Sequence, residues 1–343
     1  MLEAGRRTAP VARPVRLVAV TLGLIIIAAG CASGATGGAR TSATAAAGAG
    51  ADATTTTTRP LALGLLDAAC AATLQVENAA NVTGSSITEA SGIAASRVNP
   101  GTWWVHNDSG DSARFFLVDA GGTVRTTATV GGATAQDWED IAVGPPVDAS
   151  GANSVYLADI GDNAGQRANI VVYRATEPTV TPDAVGATTS VAADKLTLTY
   201  PDGAHDAEAL MVDPWTGELV IVTKDWSLAG ESGVYRAPAG LAAGSTTVLE
   251  RVAILALPAG TLVTAADVSP DGGVVALRSY GAIALYPRAA GQPLWSAFTA
   301  TPCAGPRPDE KQGEAIGFAA DGGSYATISE GTDPVLHLTV PSP

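Results

Sequence analysis

The stretch Glu139-Asp140-Ile141-Ala142 decides the fold, because variants of it recur along the chain. Each copy begins with small or acidic residues and continues as a short apolar strand. The five copies are Ser91-Gly92-Ile93-Ala94, Glu139-Asp140-Ile141-Ala142, Glu208-Ala209-Leu210-Met211, Ala266-Asp267-Val268-Ser269 and Glu314-Ala315-Ile316-Gly317. Their third residues stand 48 to 69 residues apart. Such a period is typical of a repeat array, and the blades of propeller proteins run about 40 to 50 residues.

Each interval divides into four short strands separated by turn residues. After Glu139-Asp140, the predicted strands are residues 141–143, 154–158, 170–174 and 195–200. Turn sequences such as Ser269-Pro270-Asp271-Gly272 fall between the first and second strands of a unit, where a tight hairpin is needed. No segment shows a helical period over ten residues. The sequence therefore predicts an all-β protein, and four-stranded units in tandem indicate a β-propeller.

The repeat count favours five blades, and a sixth blade hidden in the 69-residue interval is the alternative. The last unit offers only three strands, residues 315–318, 325–329 and 335–340. We expect the stretch at residues 73–76 to supply the fourth and to close the ring. A disulfide between Cys70 and Cys303 would then join this closing segment to the loop that enters the last blade, and two free thiols are the alternative.

The N-terminal segment carries an export signal. Four arginines precede an apolar stretch at residues 17–30, which is the pattern of a signal peptide and is short for a membrane span. Ala28-Ala29-Gly30-Cys31 resembles a bacterial lipobox with Ala28 in the usual place of Leu, so Cys31 is the predicted lipidation site. Ordinary cleavage and secretion is the alternative. We therefore expect a signal peptide at residues 1–30, a lipidated and disordered Ala/Thr/Gly tether at 31–62, and a propeller at 63–343 outside the cytoplasm.

The charge of the chain limits its partners. Asp and Glu number 33 against 19 Lys and Arg, for a formal charge of -14. Because phosphate neutralisation needs a basic patch, nucleic acid is excluded as a partner. We expect a monomer that contacts the membrane through its N-terminal lipid and takes a small-molecule or protein ligand at the propeller channel.

Several motifs resemble known proteins. Ser269-Pro270-Asp271-Gly272, followed by the strand at 274–277, is similar to the hairpin of TolB-type and WD40-like bacterial propellers. The other motifs are Trp104-Val105-His106-Asn107-Asp108-Ser109-Gly110-Asp111, Asp137-Trp138-Glu139-Asp140-Ile141-Ala142 and Asp206-Ala207-Glu208-Ala209-Leu210. These resemble exported actinobacterial propeller lipoproteins and, more loosely, propeller phytases and their esterase-like relatives. No stretch reproduces a full phytase active site.

Acidic residues concentrate where a propeller places one mouth of its channel. The first strand of each blade lines the channel and starts on the face where the second strand ends. The predicted strand starts carry Glu89, Asp137, Glu139, Asp140, Asp206, Glu208, Asp267 and Glu314. The predicted second-strand ends carry Asp108, Asp111, Asp159, Asp162, Asp225 and Glu330. Asp108-Ser109-Gly110-Asp111 and Asp159-Ile160-Gly161-Asp162 share one spacing, and the prediction puts them at equivalent blade positions.

So many carboxylates at one opening repel each other unless some are protonated or a cation neutralises them. Oxygen ligands in number suit Ca²⁺ better than Zn²⁺, which prefers His and Cys. The predicted metal ligands are Asp108, Asp111, Asp137, Glu139, Asp159, Asp162, Asp206, Glu208 and Glu314. The alternative is that these side chains only bond turn backbone.

Catalysis at this mouth is a second hypothesis. Its candidate residues are Glu139, Glu208, His106, Lys224 and Arg278. Lys224 and Arg278 would hold an anionic substrate, His106 or His205 would act as a base, and a metal-bound water would attack a phosphoester or ester. The alternative is that Lys224 and Arg278 balance neighbouring carboxylates. Since no nucleophile elbow or P-loop is present, the sequence favours a binding module with a channel-mouth cation over a phytase-like or esterase-like hydrolase.

Overall fold

Four-stranded antiparallel sheets build the protein in its computed structural model, which describes residues 60–83, 86–147, 150–181 and 183–343. The chain begins there with helix α1 (Leu61–Cys70) and strand β1 (Leu74–Asn81). The predicted signal peptide and most of the predicted tether, with Cys31, lie outside the described residues. Within them, no helix is long and apolar enough to cross a membrane.

Five sheets follow one another as blades, each running from the inside of the molecule outwards. Blade 1 consists of β2 (Ala90–Ala95), β3 (Thr102–Asn107), β4 (Arg114–Asp119) and β5 (Val124–Gly131). Blade 2 consists of β6 (Trp138–Gly144), β7 (Ser154–Asp159), β8 (Ile170–Thr176) and β9 (Ala187–Thr199). Blade 3 consists of β10 (Ala207–Val212), β11 (Leu219–Thr223), β12 (Glu231–Ala237) and β14 (Glu250–Ala256). The short β13 (Thr246–Val248) precedes β14 in the sequence but pairs with β9 of blade 2.

Blades 4 and 5 complete the ring. Blade 4 consists of β15 (Val263–Val268), β16 (Val274–Ser279), β17 (Ile283–Pro287) and β18 (Cys303–Gly305), and a 3₁₀ helix (Leu294–Thr299) precedes β18. Blade 5 consists of β19 (Gly313–Phe318), β20 (Tyr325–Ser329), β21 (Val335–Pro341) and β1. The inner strands β2, β6, β10, β15 and β19 pack in that order, and β19 packs against β2. The prediction of an all-β, five-bladed propeller closed by an N-terminal strand is confirmed.

The 69-residue interval holds one long strand rather than a sixth blade. β9 pairs with β8 in blade 2 and also runs parallel to β5 of blade 1 and to β13. It joins blades 1 and 2 into one continuous sheet at the rim. The extra length therefore covers sheet edges that would otherwise expose unpaired backbone groups.

The core lies between the blades. The inner strands β2, β10 and β19 are buried along their whole length, because each has a neighbouring blade on both faces. Farther out, β5 and β9 alternate between buried and exposed residues. This gradient is typical of radially stacked sheets and leaves the polar residues of the inner strands at the channel.

Helix α1 departs from the sequence prediction, which had no helix and placed a tether up to residue 62. α1 begins at Leu61 and buries Leu65 and Leu66 against blades 4 and 5. The predicted disulfide is present between Cys70 and Cys303. Cys303 belongs to β18, the outer strand of blade 4, and not to a loop entering blade 5. The disulfide therefore connects blade 4 to the segment that leads into β1.

Candidate functional site at the acidic channel mouth

Each inner strand carries a β-bulge near its start. The pairing of every inner strand with its neighbour skips one residue, and such a bulge turns a side chain out of the regular alternation. The bulged residues are Ser91, Glu139, Glu208, Thr264 and Glu314. All five are buried. The bulges thus bring one side chain per blade to equivalent places around the channel.

The bulge position differs from the predicted repeat in blade 4. The sequence aligned Ala266-Asp267 with Glu139-Asp140, whereas the pairing register puts Thr264 there. Thr264 Oγ1 donates to the Gly313 carbonyl at 3.0 Å, and Ser91 Oγ donates to the Glu139 carbonyl at 2.8 Å. These two hydroxyls therefore join neighbouring blades, while three glutamates occupy the remaining bulges.

A second set of side chains comes from the residue that follows each second strand. These residues are Asp108, Ile160, Lys224, Tyr280 and Glu330. The Asp108 amide donates to the Glu89 carbonyl at 2.8 Å, and the Lys224 amide donates to the Asp206 carbonyl at 2.9 Å. Second-strand ends and first-strand starts therefore meet at one mouth, as predicted. We call the following carboxylates the acidic mouth: Glu89, Asp108, Asp137, Glu139, Asp206, Glu208, Glu314 and Glu330.

Three of these carboxylates lie close enough to share one ion. One oxygen each of Asp108, Asp137 and Glu139 lies within 4.8 Å of the other two. Glu139 is buried, and Asp108 and Asp137 are half-buried. Gly161 stands directly over them, since a Cβ at that position would lie 2.2 Å from Glu139 Oε1 and 2.6 Å from Asp137 Oδ2. The absence of a side chain at Gly161 is therefore a condition for this arrangement.

The pKa values of several carboxyl groups in the acidic mouth are raised. Burial, followed by the charges of Asp108 and Asp206, raises the pKa of Asp137 to about 6. Burial, followed by Glu314 and Asp108, raises the pKa of Glu330 to about 7. Burial and the neighbouring carboxylates raise the pKa of Glu139 well above its ordinary value. Without a counter-ion, some of these groups hold protons near neutral pH.

Glu208 has a positive partner for one of its oxygens. Lys224 Nζ forms a buried ion pair with Glu208 Oε1 and donates to the Tyr280 hydroxyl at 3.1 Å. Although burial lowers the pKa of Lys224, the Glu208 carboxylate raises it above its ordinary value. The other oxygen, Glu208 Oε2, is buried and has no hydrogen-bond partner among the described residues. The mouth therefore contains a carboxylate oxygen that is desolvated and unsatisfied.

Three of the predicted metal ligands form hydrogen bonds or ion pairs with other groups of the protein. Asp111 accepts from Arg114 Nε at 2.9 Å and from Asn107 Nδ2 at 2.7 Å. Asp159 pairs with Arg167 at 2.8 Å. Asp162 accepts from the amides of Gln166 and Arg167, at 2.9 Å and 2.7 Å.

The two Asp-x-Gly-Asp motifs are not equivalent in the structure. Asn107 pairs with Ala90 as Asp159 pairs with Trp138, so Asn107 is the true counterpart of Asp159. The motif begins one residue after the end of β3 in blade 1 but at the last residue of β7 in blade 2. As a consequence Asp108 reaches the mouth, while Asp159 binds Arg167.

His106 and Arg278 lie inside the blade interfaces. They occupy equivalent positions, opposite Gly92 and Ala265. His106 is fully buried, its Nδ1 donates to the Asn107 carbonyl at 2.9 Å, and burial lowers its pKa to about 4. Arg278 is fully buried and forms an ion pair with Glu310.

Tyr280, and not Arg278, follows the second strand of blade 4 and faces the mouth. Tyr280 is not among the residues that the sequence pattern predicted for the mouth. Tyr280 lies two residues after Arg278, which the sequence placed at the end of the second strand. Only the pairing register shows that this strand continues to Ser279 and that Tyr280 follows it.

Asp140 and Asp267 act as backbone acceptors between blades. Asp140 Oδ2 accepts from the Leu210 amide at 2.9 Å, and Asp267 Oδ2 accepts from the Phe318 amide at 2.7 Å. Asp225 likewise accepts from amides of its own loop, including that of Gly230 at 2.9 Å. These three carboxylates hold the fold together locally.

Comparisons with known proteins do not assign the chain to a family. The sequence matches no protein-family model and no curated protein. Among solved structures, the chain is similar to the soluble aldose sugar dehydrogenase from Escherichia coli in its apo-form, with a TM-score of 0.44 and 11% identity. The similarity covers 78% of this chain and 100% of that chain.

Proposed function

We propose that the protein is a lipid-anchored binding module of the cell surface that holds a divalent cation, Ca²⁺ in the first place, at its acidic mouth. The observation that carries this proposal is the approach of Asp108, Asp137 and Glu139 oxygens to within 4.8 Å of one another. Anionic oxygens at this separation repel each other strongly in a partly dehydrated site, and a shared cation removes that repulsion.

The chemistry of the ligands supports Ca²⁺. Ca²⁺ takes about six to eight oxygen ligands, from carboxylates, carbonyls and water. The mouth offers carboxylates from four blades, and the unsatisfied Glu208 Oε2 is a further oxygen without a partner there. Zn²⁺ prefers nitrogen and sulfur ligands. His106 is buried against Trp138, and Cys70 and Cys303 are bonded to each other.

The cellular location follows from the cysteines. The Cys70–Cys303 disulfide supports an extracytoplasmic location, because such bonds persist in oxidising compartments. The proposed lipid at Cys31 would hold the propeller at the membrane through the Ala/Thr/Gly tether.

A metal-dependent phosphoester or ester hydrolase is the second candidate. The positions of the basic side chains that such an enzyme would use disfavour it. Arg278 is committed to Glu310 and is fully buried. Lys224 is committed to Glu208. His106 is enclosed in the blade interface and cannot act as a base at the mouth. A binding role needs none of these groups to be free.

Calorimetric titration of the purified protein with Ca²⁺ tests the proposal. We expect one saturable site in the wild-type protein. Glu139→Gln should weaken the affinity by about tenfold or more, or about 1.4 kcal/mol. The matched control Asp111→Asn should leave the affinity unchanged, because Asp111 pairs with Arg114 instead. Absence of Ca²⁺ binding by the wild-type protein would remove the proposal.

The hydrolase candidate has its own test. Turnover of a panel of phosphoesters and carboxyl esters by the Ca²⁺-loaded protein, abolished by Glu139→Gln or Glu208→Gln in folded protein, would favour the enzyme. Ca²⁺ binding without turnover would favour the binding module.

A further inference from the structure

A side cavity of about 440 Å³ opens next to the acidic mouth. Asp206 and Lys224 belong to both the mouth and the cavity wall, and Trp226, His205 and Arg251 complete the wall. A volume of this size holds a small organic ligand. The cavity and the mouth therefore share a wall, so that a ligand in one lies beside an ion in the other.

An exposed aromatic surface lines the cavity. Trp226 is 51% exposed, and its Nε1 donates to Asp206 Oδ2 at 2.6 Å. Ile254, which is 55% exposed, lines the same cavity. An indole fixed by a hydrogen bond at its edge and open to solvent on its surface offers a rigid platform for a ligand. Burying these two side chains would also remove apolar surface from water.

The charges of the cavity wall are largely satisfied within the protein. Asp206 accepts from the Asp162 amide and from Trp226, and Asp225 accepts from the amides of its own loop. Lys224 is paired with Glu208, and Arg251 donates to Asp202 at 2.8 Å. The Lys224 ammonium group is therefore not available to an anionic ligand. Asp206 and Asp225 already accept hydrogen bonds from the protein and are not available to a cationic ligand. The exposed Glu231 carboxylate of the same wall can accept hydrogen bonds from hydroxyl groups, so the wall suits a neutral ligand that carries hydroxyls.

Polar groups nevertheless remain available around the platform. Asn163 is exposed, and its side-chain amide makes no hydrogen bond within the part of the chain that the structure describes. His205 Nε2 lies 3.1 Å from Asp202 Oδ1 and 3.0 Å from the Tyr235 hydroxyl, so Nδ1 of this 34% exposed side chain is the ring nitrogen without a partner among the described residues. Groups that both donate and accept hydrogen bonds, arranged beside an aromatic surface, suit a ligand rich in hydroxyl groups.

The geometry points to a binding site for a neutral saccharide in this cavity, with the sugar ring packed on Trp226 beside the acidic mouth. The C–H bonds on one side of a sugar ring meet the electron-rich surface of the indole, and the ring hydroxyls meet Asn163 and His205. This inference names the ligand class of the proposed binding module and therefore rests on that proposal.

The test is calorimetric titration with defined probes in saturating Ca²⁺. The probes are neutral tetrasaccharides of glucose, mannose and galactose, with inositol hexakisphosphate and spermidine as the anionic and cationic counterparts. We expect at least one neutral tetrasaccharide to bind the wild-type protein. Trp226→Ala should weaken that binding by about tenfold or more. Trp226→Phe, which keeps an aromatic surface, should retain most of it.

Trp215→Ala is the matched control. Trp215 is also exposed, at 42%, but it lies in the hairpin at the opposite end of blade 3. It should leave saccharide binding unchanged. Binding of only the charged probes, binding of none, or equal binding by Trp226→Ala would overturn the inference. Ca²⁺ titration of the same wild-type samples distinguishes this failure from failure of the proposed cation site.

Discussion

Glu139 shows how a single residue connects the fold to the site. It lies in a β-bulge, its backbone carbonyl accepts a hydrogen bond from Ser91 of the preceding blade, and its side chain faces Asp108 and Asp137. The same residue thus contributes to the contact between two blades and to the density of charge at the mouth. Because Glu139 has both roles, protonation of the acidic mouth should affect the stability of the fold.

The stability of the metal-free protein should depend on pH. A carboxyl whose pKa is raised in the folded state stabilises that state below the unfolded pKa, and this contribution is lost as the pH rises through the folded pKa. For Glu330 that value is about 7, and the pKa of Glu139 is also raised. In the presence of a chelator, we expect the melting temperature to fall on the order of 2–4 °C between about pH 6.5 and 8.5, a window that spans the folded pKa of Glu330.

Added Ca²⁺ should reduce this fall, because the cation binds the deprotonated carboxylates. The measurement is thermal unfolding followed by circular dichroism at both pH values, with Glu139→Gln/Glu330→Gln as the variant that weakens the dependence. Above pH 7 the buried His106, with its pKa of about 4, is neutral and does not contribute. A melting temperature that rises with pH in the chelator would contradict this explanation.

Lys224 should be important for stability. Lys224→Met leaves Glu208 buried without its cation, and breaking a buried ion pair in this way costs about 3–5 kcal/mol. Urea unfolding should show the loss, and Lys224→Met/Glu208→Gln should recover part of it. Lys195→Met, at the exposed side of β9, is the matched control. An unaltered unfolding midpoint for Lys224→Met would contradict the pairing.

Gly161 should be required for cation binding. Gly161→Ala would place a methyl group against the Glu139 and Asp137 carboxylates and push them apart. We expect about tenfold weaker Ca²⁺ affinity, measured by calorimetry. Gly131→Ala, where the nearest heavy atom would lie 3.5 Å away, is the matched control. Equal affinity for Gly161→Ala and the wild-type protein would place the cation elsewhere.

At the scale of elements, the β-bulges separate what the sequence predicts from what it does not. Turn residues and apolar strands predicted β7, β8 and β20 within two residues, and the start of the closing strand β1. The bulge in each inner strand, however, changes the pairing without changing the apolar pattern. Acidic residues do not mark the same strand position in every blade. The sequence therefore aligned Asp108 with Asp159, one residue out of register, and Ala266 with Glu139, two residues out of register. The position of Tyr280 at the mouth could not be read without the pairing.

Helix α1 was missed for a different reason. Its sequence is rich in Ala and Leu and follows closely on the threonine run at 54–58, and its N-terminus at Pro60 has no side-chain cap. An isolated helix of ten residues is marginal in water. Its stability comes from the packing of Leu65 and Leu66 and from the disulfide at Cys70, which are tertiary contacts.

The disulfide should therefore stabilise α1 and the closing strand. Cys70→Ser/Cys303→Ser is expected to lower the free energy of unfolding by about 2–5 kcal/mol. Hydrogen exchange should show faster opening of β1 and β21 in this variant than of β6 and β7, which lie in blade 2. Uniform exchange across all blades, or unchanged stability, would contradict a specific role in closing the ring.

At the scale of the whole molecule, five blades carry three glutamates and two hydroxyl residues at one equivalent position. The hydroxyls of Ser91 and Thr264 bond the next blade, while Glu139, Glu208 and Glu314 face the channel. The ring concentrates acid at one opening, while Arg278 and Arg288 form buried ion pairs with Glu310 and Asp213. The strong negative charge of the chain thus has a structural location at the mouth.

The most direct test is a crystal structure of the protein grown with Ca²⁺ at about pH 8. We expect one ion at the acidic mouth, bound by oxygens of Asp108, Asp137 and Glu139 at about 2.3–2.6 Å. An empty mouth under these conditions, with the three carboxylates hydrogen-bonded to one another through shared protons, would contradict the cation site.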